Sequence, residues 1–135
     1  MNKQQLALKI RDIMRKYREQ GSDSPCRKNH IVLNAGNTEL HEMNKCEICY
    51  ALLNGYLPFN HSYSLGETII NTIDYKKSPD FKTLSFITEA VDRKTGKRRD
   101  IIILETDTIV EVVNTHMDDK LMQEYKDDDV LIIKV

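Results

Sequence analysis

Five potential metal ligands lie close together in the sequence and limit the folds open to this chain more than any other feature. They include all three cysteines and two of the four histidines: Cys26, His30, His41, Cys46 and Cys49. Thiolates and imidazoles are the ligands that zinc prefers, and four of them in a tetrahedron form a structural site. The cluster therefore predicts a zinc-stapled module within residues 21–60.

The Cys46-x-x-Cys49 spacing supplies one pair of ligands. Residues 47–54 have the apolar spacing of a short helix, so we expect the two thiols on its first turn, one above the other. The alternative is that both cysteines are small buried side chains on the inward face of a helix, with the histidines at the surface.

The second pair of ligands is ambiguous. Cys26-x-x-x-His30 has the more regular spacing, whereas Cys26 with His41 leaves His30 outside the site. An odd number of cysteines is unusual for a secreted disulfide framework, and the charged N-terminus lacks the apolar segment of a secretory signal. These features predict a cytoplasmic protein whose cysteines bind metal rather than form disulfides.

A stretch of about thirty residues is similar to the core of treble-clef zinc modules, and among them to the HNH nucleases. The resemblance rests on a histidine that opens the apolar run 30–33, a glycine-bearing loop, and the Cys46-x-x-Cys49 pair at a helix start. It implies that the two cysteines are structural zinc ligands. It also implies that His30 corresponds to the general base and His41 to the family's central Asn/His position.

Charge is distributed unevenly along the chain. The net charge is −1, which excludes tight nonspecific binding of nucleic acid by the molecule as a whole. Residues 1–30 nevertheless carry +5 and residues 100–135 carry −7. Such segments are either solvated faces or contacts with partners of opposite charge.

The N-terminal segment predicts a basic amphipathic helix over residues 3–20. Its apolar side chains recur at helical spacing, and the simplest role for them is to pack on the chain's own domain. Docking to a membrane surface or to nucleic acid is the alternative. No apolar run approaches the roughly 20 residues needed to span a bilayer, so we expect no membrane partner.

The second half predicts a β-rich region. Its strands are expected at 81–91, 101–104, 108–113 and 130–135, with a short helix at 117–125. Residues 57–59 suggest a linker or an edge segment, and residues 64–73 fit either a helix or a strand.

A basic loop joins two of these predicted strands, and its composition is typical of a hairpin connection. Its five cationic residues are candidates for contact with a partner: Arg93, Lys94, Lys97, Arg98 and Arg99. They suit a phosphate backbone or an acidic protein groove, or else they keep an exposed hairpin soluble.

The sequence thus predicts an α+β protein: an N-terminal helix (1–20), a treble-clef-like zinc module (21–60) and a β-rich region with a basic hairpin (61–135). No nucleotide-binding loop or hydrolase motif is present. We expect a small zinc-binding, non-enzymatic adaptor or inhibitor of a protein or protein–nucleic-acid complex, of the kind that phages and mobile elements encode. The alternatives are a divergent HNH-like metal-dependent nuclease with His30 or His41 as catalytic residue, and a direct nucleic-acid-binding regulator.

Overall fold

The structure, a computed structural model, describes residues 8, 28–34, 36–113 and 119–135. In these residues it has two helices and six strands: α1 (Glu39–Leu53), β1 (Tyr56–Leu65), β2 (Thr68–Lys77), β3 (Phe86–Val91), β4 (Arg98–Ile103), β5 (Thr108–Val113), α2 (Asp119–Asp127) and β6 (Val130–Lys134). The α+β class with a β-rich C-terminal half is confirmed. Cys26 and, except for Leu8, the predicted helix over 3–20 lie outside the described residues.

The strands form two sheets. The larger has the order β3-β4-β5-β6, in which β3, β4 and β5 are a sequential antiparallel meander. Strand β6 pairs parallel to β5, and α2 makes the crossover between them. Strands β1 and β2 pair antiparallel over ten residues each as a separate sheet, which we call the β-arm (residues 56–77).

Helix α1 packs on the four-stranded sheet through its C-terminal half. Ile48, Cys49 and Leu52 are fully buried there. They share one core with buried apolar side chains of the sheet and of the segment that leads into it: Leu84, Phe86, Ile101, Ile103, Val110, Val112 and Ile133. The helix and the sheet therefore exclude water together, which is the main favourable term in folding.

Helix α1 begins eight residues earlier than the sequence predicted. Thr38 is its N-cap, and the Thr38 hydroxyl accepts a hydrogen bond from the His41 backbone N–H at 3.2 Å. The negative charges of Glu39 and Glu42 in the first turn interact favourably with the helix dipole and stabilise the helix. The predicted helix over 47–54 is therefore too short, and the two thiols lie in mid-helix rather than on the first turn.

The β-arm decides two alternatives that the sequence left open. Residues 57–59 belong to β1 of a two-stranded sheet, so the edge segment is correct, and of the two alternatives for residues 64–73 the strand is correct. A two-residue turn joins Leu65 to Thr68, and its first residue, Gly66, has φ +65°, a conformation that glycine adopts without strain.

The remaining expectations hold in part. The basic segment joins β3 to β4 as a hairpin, β5 has the bounds predicted, and β6 and α2 fall within two residues of theirs. Residues 30–33 are extended but form no strand ladder. They join β3 through a side chain, because Val32 N–H donates to Thr88 Oγ1 at 2.8 Å and that hydroxyl donates to the His30 carbonyl. No helix in the described ranges has the length and apolarity needed to cross a bilayer.

Candidate functional site

Three carboxylates lie in one row across the sheet. The antiparallel register of β3, β4 and β5 places Glu89, Asp100 and Glu111 side by side, next to the pairs that begin at Ile101. All three residues are at most 9% exposed. Buried carboxylates are rare in proteins unless they are paired, so this row is the first feature to explain.

Side chains replace the sheet's backbone hydrogen bonds at this row. Backbone pairing of β4 with β5 stops short of Asp100. Instead the Asp100 N–H donates to Glu111 Oε1 at 3.2 Å, and the Val112 N–H donates to Asp100 Oδ2 at 2.9 Å. The two carboxylates are therefore held close together by the backbone of the neighbouring strand.

Helix α1 brings an imidazole against this row. His41 Nδ1 lies 3.1 Å from Glu42 Oε1, and His41 Nε2 lies 3.1 Å from Asp100 Oδ2. Burial lowers the pKa of His41, but the hydrogen bonds and charges of Asp100 and Glu42 outweigh it and raise the pKa to about 10. His41 is therefore an imidazolium at neutral pH, and it donates to both carboxylates.

Lys45 is a second cation that α1 places against the carboxylates. Its Nζ lies 2.6 Å from Glu42 Oε2 and 2.9 Å from Glu89 Oε1, and Lys45 and Glu42 are 0% exposed. Burial opposes the charged state of each group, but the attraction wins: the pKa of Lys45 is raised by Glu42 and Glu89, and that of Glu42 is lowered by His41 and Lys45. Lys45, Glu42 and Glu89 therefore form a desolvated ion cluster, which His41 and Asp100 extend.

Glu111 differs from the other carboxylates because no cation among the described residues forms an ion pair with it. Burial first, and then the negative charge of Asp100, raise the pKa of Glu111 to about 8. Tyr125 of α2 donates its hydroxyl to Glu111 Oε2 at 3.4 Å, and burial and the nearby carboxylates raise the Tyr125 pKa to about 12. With a pKa of about 8, Glu111 is mostly protonated at neutral pH.

Glu89 also carries backbone strain. Its φ is +53° in the middle of a strand, a left-handed conformation that costs of order 1–3 kcal/mol for a residue other than glycine. The ion pairs of its side chain with Lys45 and Arg98 hold it there. Strain and shifted pKa values are more frequent at functional sites than elsewhere, so the cluster is a candidate site.

A shallow cavity gives access to one edge of the cluster. Its volume is about 240 Å³, and it is lined by the loop before α1, the first turn of that helix and the chain's last residue: Gly36, Asn37, Thr38, Leu40, His41 and Val135. Of the cluster, only the imidazole of His41 lines this cavity. The carboxylates behind it are screened from solvent by the helix.

The predicted zinc ligands are spread over different environments. The described chain holds no group of three His, Cys, Asp or Glu side chains that could bind a metal ion. Cys49 lies in the main core, where burial and then Cys46 raise its thiol pKa well above the ordinary value, and Cys46 packs with Leu33. Both ring nitrogens of His41 face carboxylates. With Cys26 outside the described residues, the zinc site stays a prediction.

The basic loop is largely neutralised by the chain's own acidic side chains. Lys94 pairs with Asp107 and Arg98 with Glu89, while Lys97 and Arg99 both reach Asp128. Arg99 is also 2% exposed. The sequence placed these cations together correctly in one hairpin, but it gave no sign that their counter-charges come from the same chain.

The outer half of the β-arm has the most exposed apolar surface in the described structure. Every residue from 61 to 69 is exposed. Tyr63 is 45% exposed, and Leu65 and Ile69 are each 67% exposed. Alternate residues of a strand share a face, so Tyr63 and Leu65 lie on the same side as Phe59, which is 38% exposed.

Of the buried ion cluster, only His41 was predicted from the sequence as a site residue, and its charged partners were not. A signal was present: Glu111 interrupts the apolar run Ile-Val-Glu-Val-Val, and Asp100 directly precedes Ile-Ile-Ile. A charge inside a run with the length of a buried strand requires a partner. The partner could not be named, because it lies on a helix some sixty residues earlier in the chain.

Comparison of the chain with models of protein families, with curated proteins and with solved structures finds no match.

Proposed function

We propose that this protein is a small non-enzymatic adaptor that binds a protein partner through the outer half of the β-arm. The observation that carries the proposal is the run of nine exposed residues, 61–69, with its apolar side chains. Clustered apolar exposure on a small domain is typical of interaction surfaces. Aromatic side chains such as Tyr63 contribute most of the binding energy in many interfaces.

The geometry of the arm suits this role. Its base is fixed, because the Lys134 N–H donates to Asn60 Oδ1 at 2.8 Å and Asn60 Nδ2 donates to the Lys134 carbonyl at 3.1 Å. Ile73 and Tyr75 also pack on the main core. A rigid base and an uncovered outer half present the exposed apolar side chains at the end of β1 in one orientation, which lowers the entropy cost of binding.

The test is affinity capture followed by stoichiometry. We expect the wild-type chain to retain a partner in about equimolar amount, and the variant Tyr63→Ser/Leu65→Ser to lose it. Leu104→Ser is the matched control, since Leu104 is 40% exposed but lies at the end of β4, outside the arm. A partner held equally by all three proteins, or no stoichiometric partner at all, contradicts the proposal.

A metal-dependent hydrolase, such as a nuclease, is the second candidate for the buried cluster, although the described residues hold no group of three His, Cys, Asp or Glu side chains arranged to bind a metal ion. Carboxylates paired across two strands, with a lysine and an imidazole, are the groups that divalent-cation chemistry employs. In the structure His41 and Lys45 are the cations next to these carboxylates, so a metal ion would have to displace His41 from Asp100. This closed, internally balanced arrangement is the reason that binding ranks first.

Plasmid nicking with magnesium or manganese separates the two functions. Loss of cleavage in Asp100→Asn, but not in His30→Ala, would assign activity to the buried cluster. Loss in His30→Ala would support the HNH-like alternative. The absence of cleavage by the wild-type chain would remove both. Zinc, bound by Cys26, Cys46, Cys49 and one histidine, remains a proposal on the sequence pattern, as do a cytoplasmic location and an accessory role in a mobile element.

A further inference from the structure

The basic loop (residues 92–99) is a preformed surface rather than a loose connection. Asp92 organises it: its Oδ1 accepts from the Lys94 N–H, its Oδ2 accepts from the Thr95 hydroxyl, and its carbonyl accepts from the Gly96 N–H at 2.7 Å. The positions of the cationic side chains are therefore fixed relative to one another. Rigid presentation of several cations is what a phosphate backbone requires of a protein surface.

The C-terminal end of α2 closes over this surface. Glu124 and Asp128 lie four residues apart, one helical turn, and both reach Lys97, with Nζ–O distances of 2.5 and 2.7 Å. Asp128 also accepts from Arg99 Nη2 at 2.9 Å. The hydrogen bonds with Asp128 and Glu124 raise the pKa of Lys97, and those with Lys97 and Arg99 lower the pKa of Asp128.

Besides these ion pairs, α2 is held by the 3.4 Å hydrogen bond from the Tyr125 hydroxyl to Glu111 and by partly buried side chains. None of its nine residues is fully buried, and its apolar side chains Leu121 and Met122 are only half-buried. The Lys97 and Glu124 side chains are 38% and 43% exposed, so water and salt have access to their ion pair. Partly exposed ion pairs of this kind are readily exchanged for equivalent pairs with another anion.

We propose that α2 with Asp128 is an electrostatic latch, which occupies the basic loop until the phosphate backbone of a nucleic acid displaces it and binds there. Phosphate oxygens would replace the carboxylates on Lys97, and the exchange gives up the ion pair of Asp128 with Arg99, whose side chain is 1% exposed. It adds contacts for two largely exposed cations, Lys94 and Arg98, whose side chains are 71% and 65% exposed and which pair with Asp107 and Glu89 in the free protein. Release of counterions from the nucleic acid favours the open state.

The latch gives the protein a second surface, distinct from the β-arm. Its acidic side chains cover the loop in the free protein, which agrees with the overall charge of −1. The basic loop and the acidic C-terminal segment of the sequence thus form one regulated site. Partners of the β-arm have no part in this inference, so each proposal can fail without the other.

The test is fluorescence anisotropy of a labelled single-stranded DNA oligonucleotide with the full chain. Asp128→Asn opens the latch, and Asp127→Asn is its matched control: it removes the same charge at the neighbouring position, but among the described residues the Asp127 carboxylate accepts from Gln123, away from the loop. We expect Asp128→Asn to bind at least about tenfold more tightly than Asp127→Asn, with an affinity that falls as salt rises.

Two further variants keep the test decisive. Glu124→Gln weakens the latch but leaves Arg99 with Asp128, so it serves if Asp128→Asn fails to fold. Adding Lys97→Gln to the opened variant should cancel the gain and reduce the logarithmic salt slope by about one. Equal affinities of Asp128→Asn and Asp127→Asn, with Glu124→Gln also unchanged, overturn the proposal. Binding of polyglutamate as tight as that of the oligonucleotide overturns the assignment to nucleic acid.

Discussion

Replacing Lys45 with methionine is expected to be among the most destabilising single changes in this chain. Methionine matches the length of the lysine side chain, so the substitution removes the charge and leaves little cavity. It leaves the Glu42 and Glu89 carboxylates buried without the ammonium that lies 2.6 and 2.9 Å from them. Breaking a buried pair in this way costs about 3–5 kcal/mol.

The remaining partners set the expected value near the lower end of that range. Glu42 still accepts hydrogen bonds from Asn37 and His41, and Glu89 still faces Arg98. We therefore expect a loss of about 3 kcal/mol, which is a large part of a typical stability of about 5–15 kcal/mol. For a chain of this length it corresponds to a fall in Tm of about 10 °C.

Urea denaturation followed by circular dichroism measures the loss. Lys94→Met is the matched control, since the Lys94 ammonium is also paired with a carboxylate, Asp107, but both side chains are more than two-thirds exposed. We expect that control to change the urea midpoint little. Adding Glu42→Gln to Lys45→Met should recover part of the loss, because one of the unpaired charges is removed. Equal effects of Lys45→Met and Lys94→Met would refute the buried cluster.

Three further predictions concern pH, backbone conformation and metal. The stabilising effect of His41 is fully present below pH 6.5 and is lost as pH rises toward the folded-state pKa of about 10. Wild-type stability should therefore fall between about pH 8 and 10, a range that lies above the pKa of Glu111. In urea titrations, His41→Gln should flatten this pH dependence. Gly55→Ala should lower the stability by about 2–4 kcal/mol in the same assay, because Gly55 has φ +81° and the added Cβ would lie 2.5 Å from a carbonyl oxygen. Gly96→Ala should cost only about 1 kcal/mol, because Gly96 has φ +73° but no atom lies within 4 Å of the added Cβ. Mass spectrometry should find about one zinc ion per chain that is lost in Cys46→Ser, and a metal-free wild-type protein would make Cys46 an ordinary core residue.

Where the sequence carries a local signal, the fold could be predicted from it. β5 is a run of apolar and β-branched residues, and its bounds were predicted correctly. The first half of α1 was missed because the side chains on its buried face there, Glu42 and Lys45, are charged, so the apolar periodicity that indicates a helix begins only at Cys46. The helix start was still readable from Thr38 followed by acidic residues.

Tertiary pairing could not be predicted in the same way. His41 was identified as a residue of interest, but as a metal ligand or catalytic group, because an imidazole near two cysteines suggests zinc. Its actual neighbour, Asp100, is 59 residues away in the chain. A sequence pattern reports only the periodicity of nearby residues, and nothing in it relates the first turn of a helix to the start of a distant strand.

The basic and acidic segments are a second case in which tertiary contacts could not be predicted from the sequence. For this reason the latch was not expected. A basic loop and an acidic C-terminal segment in one chain are compatible with two external partners of opposite charge or with each other. The choice depends on the crossover that leads from β5 through α2 to β6, because this connection brings Glu124 and Asp128 back beside the β3–β4 loop. Since parallel pairing of β5 and β6 requires such a crossover, the topology of the sheet, rather than the charges themselves, determines that the basic loop is covered in the free protein.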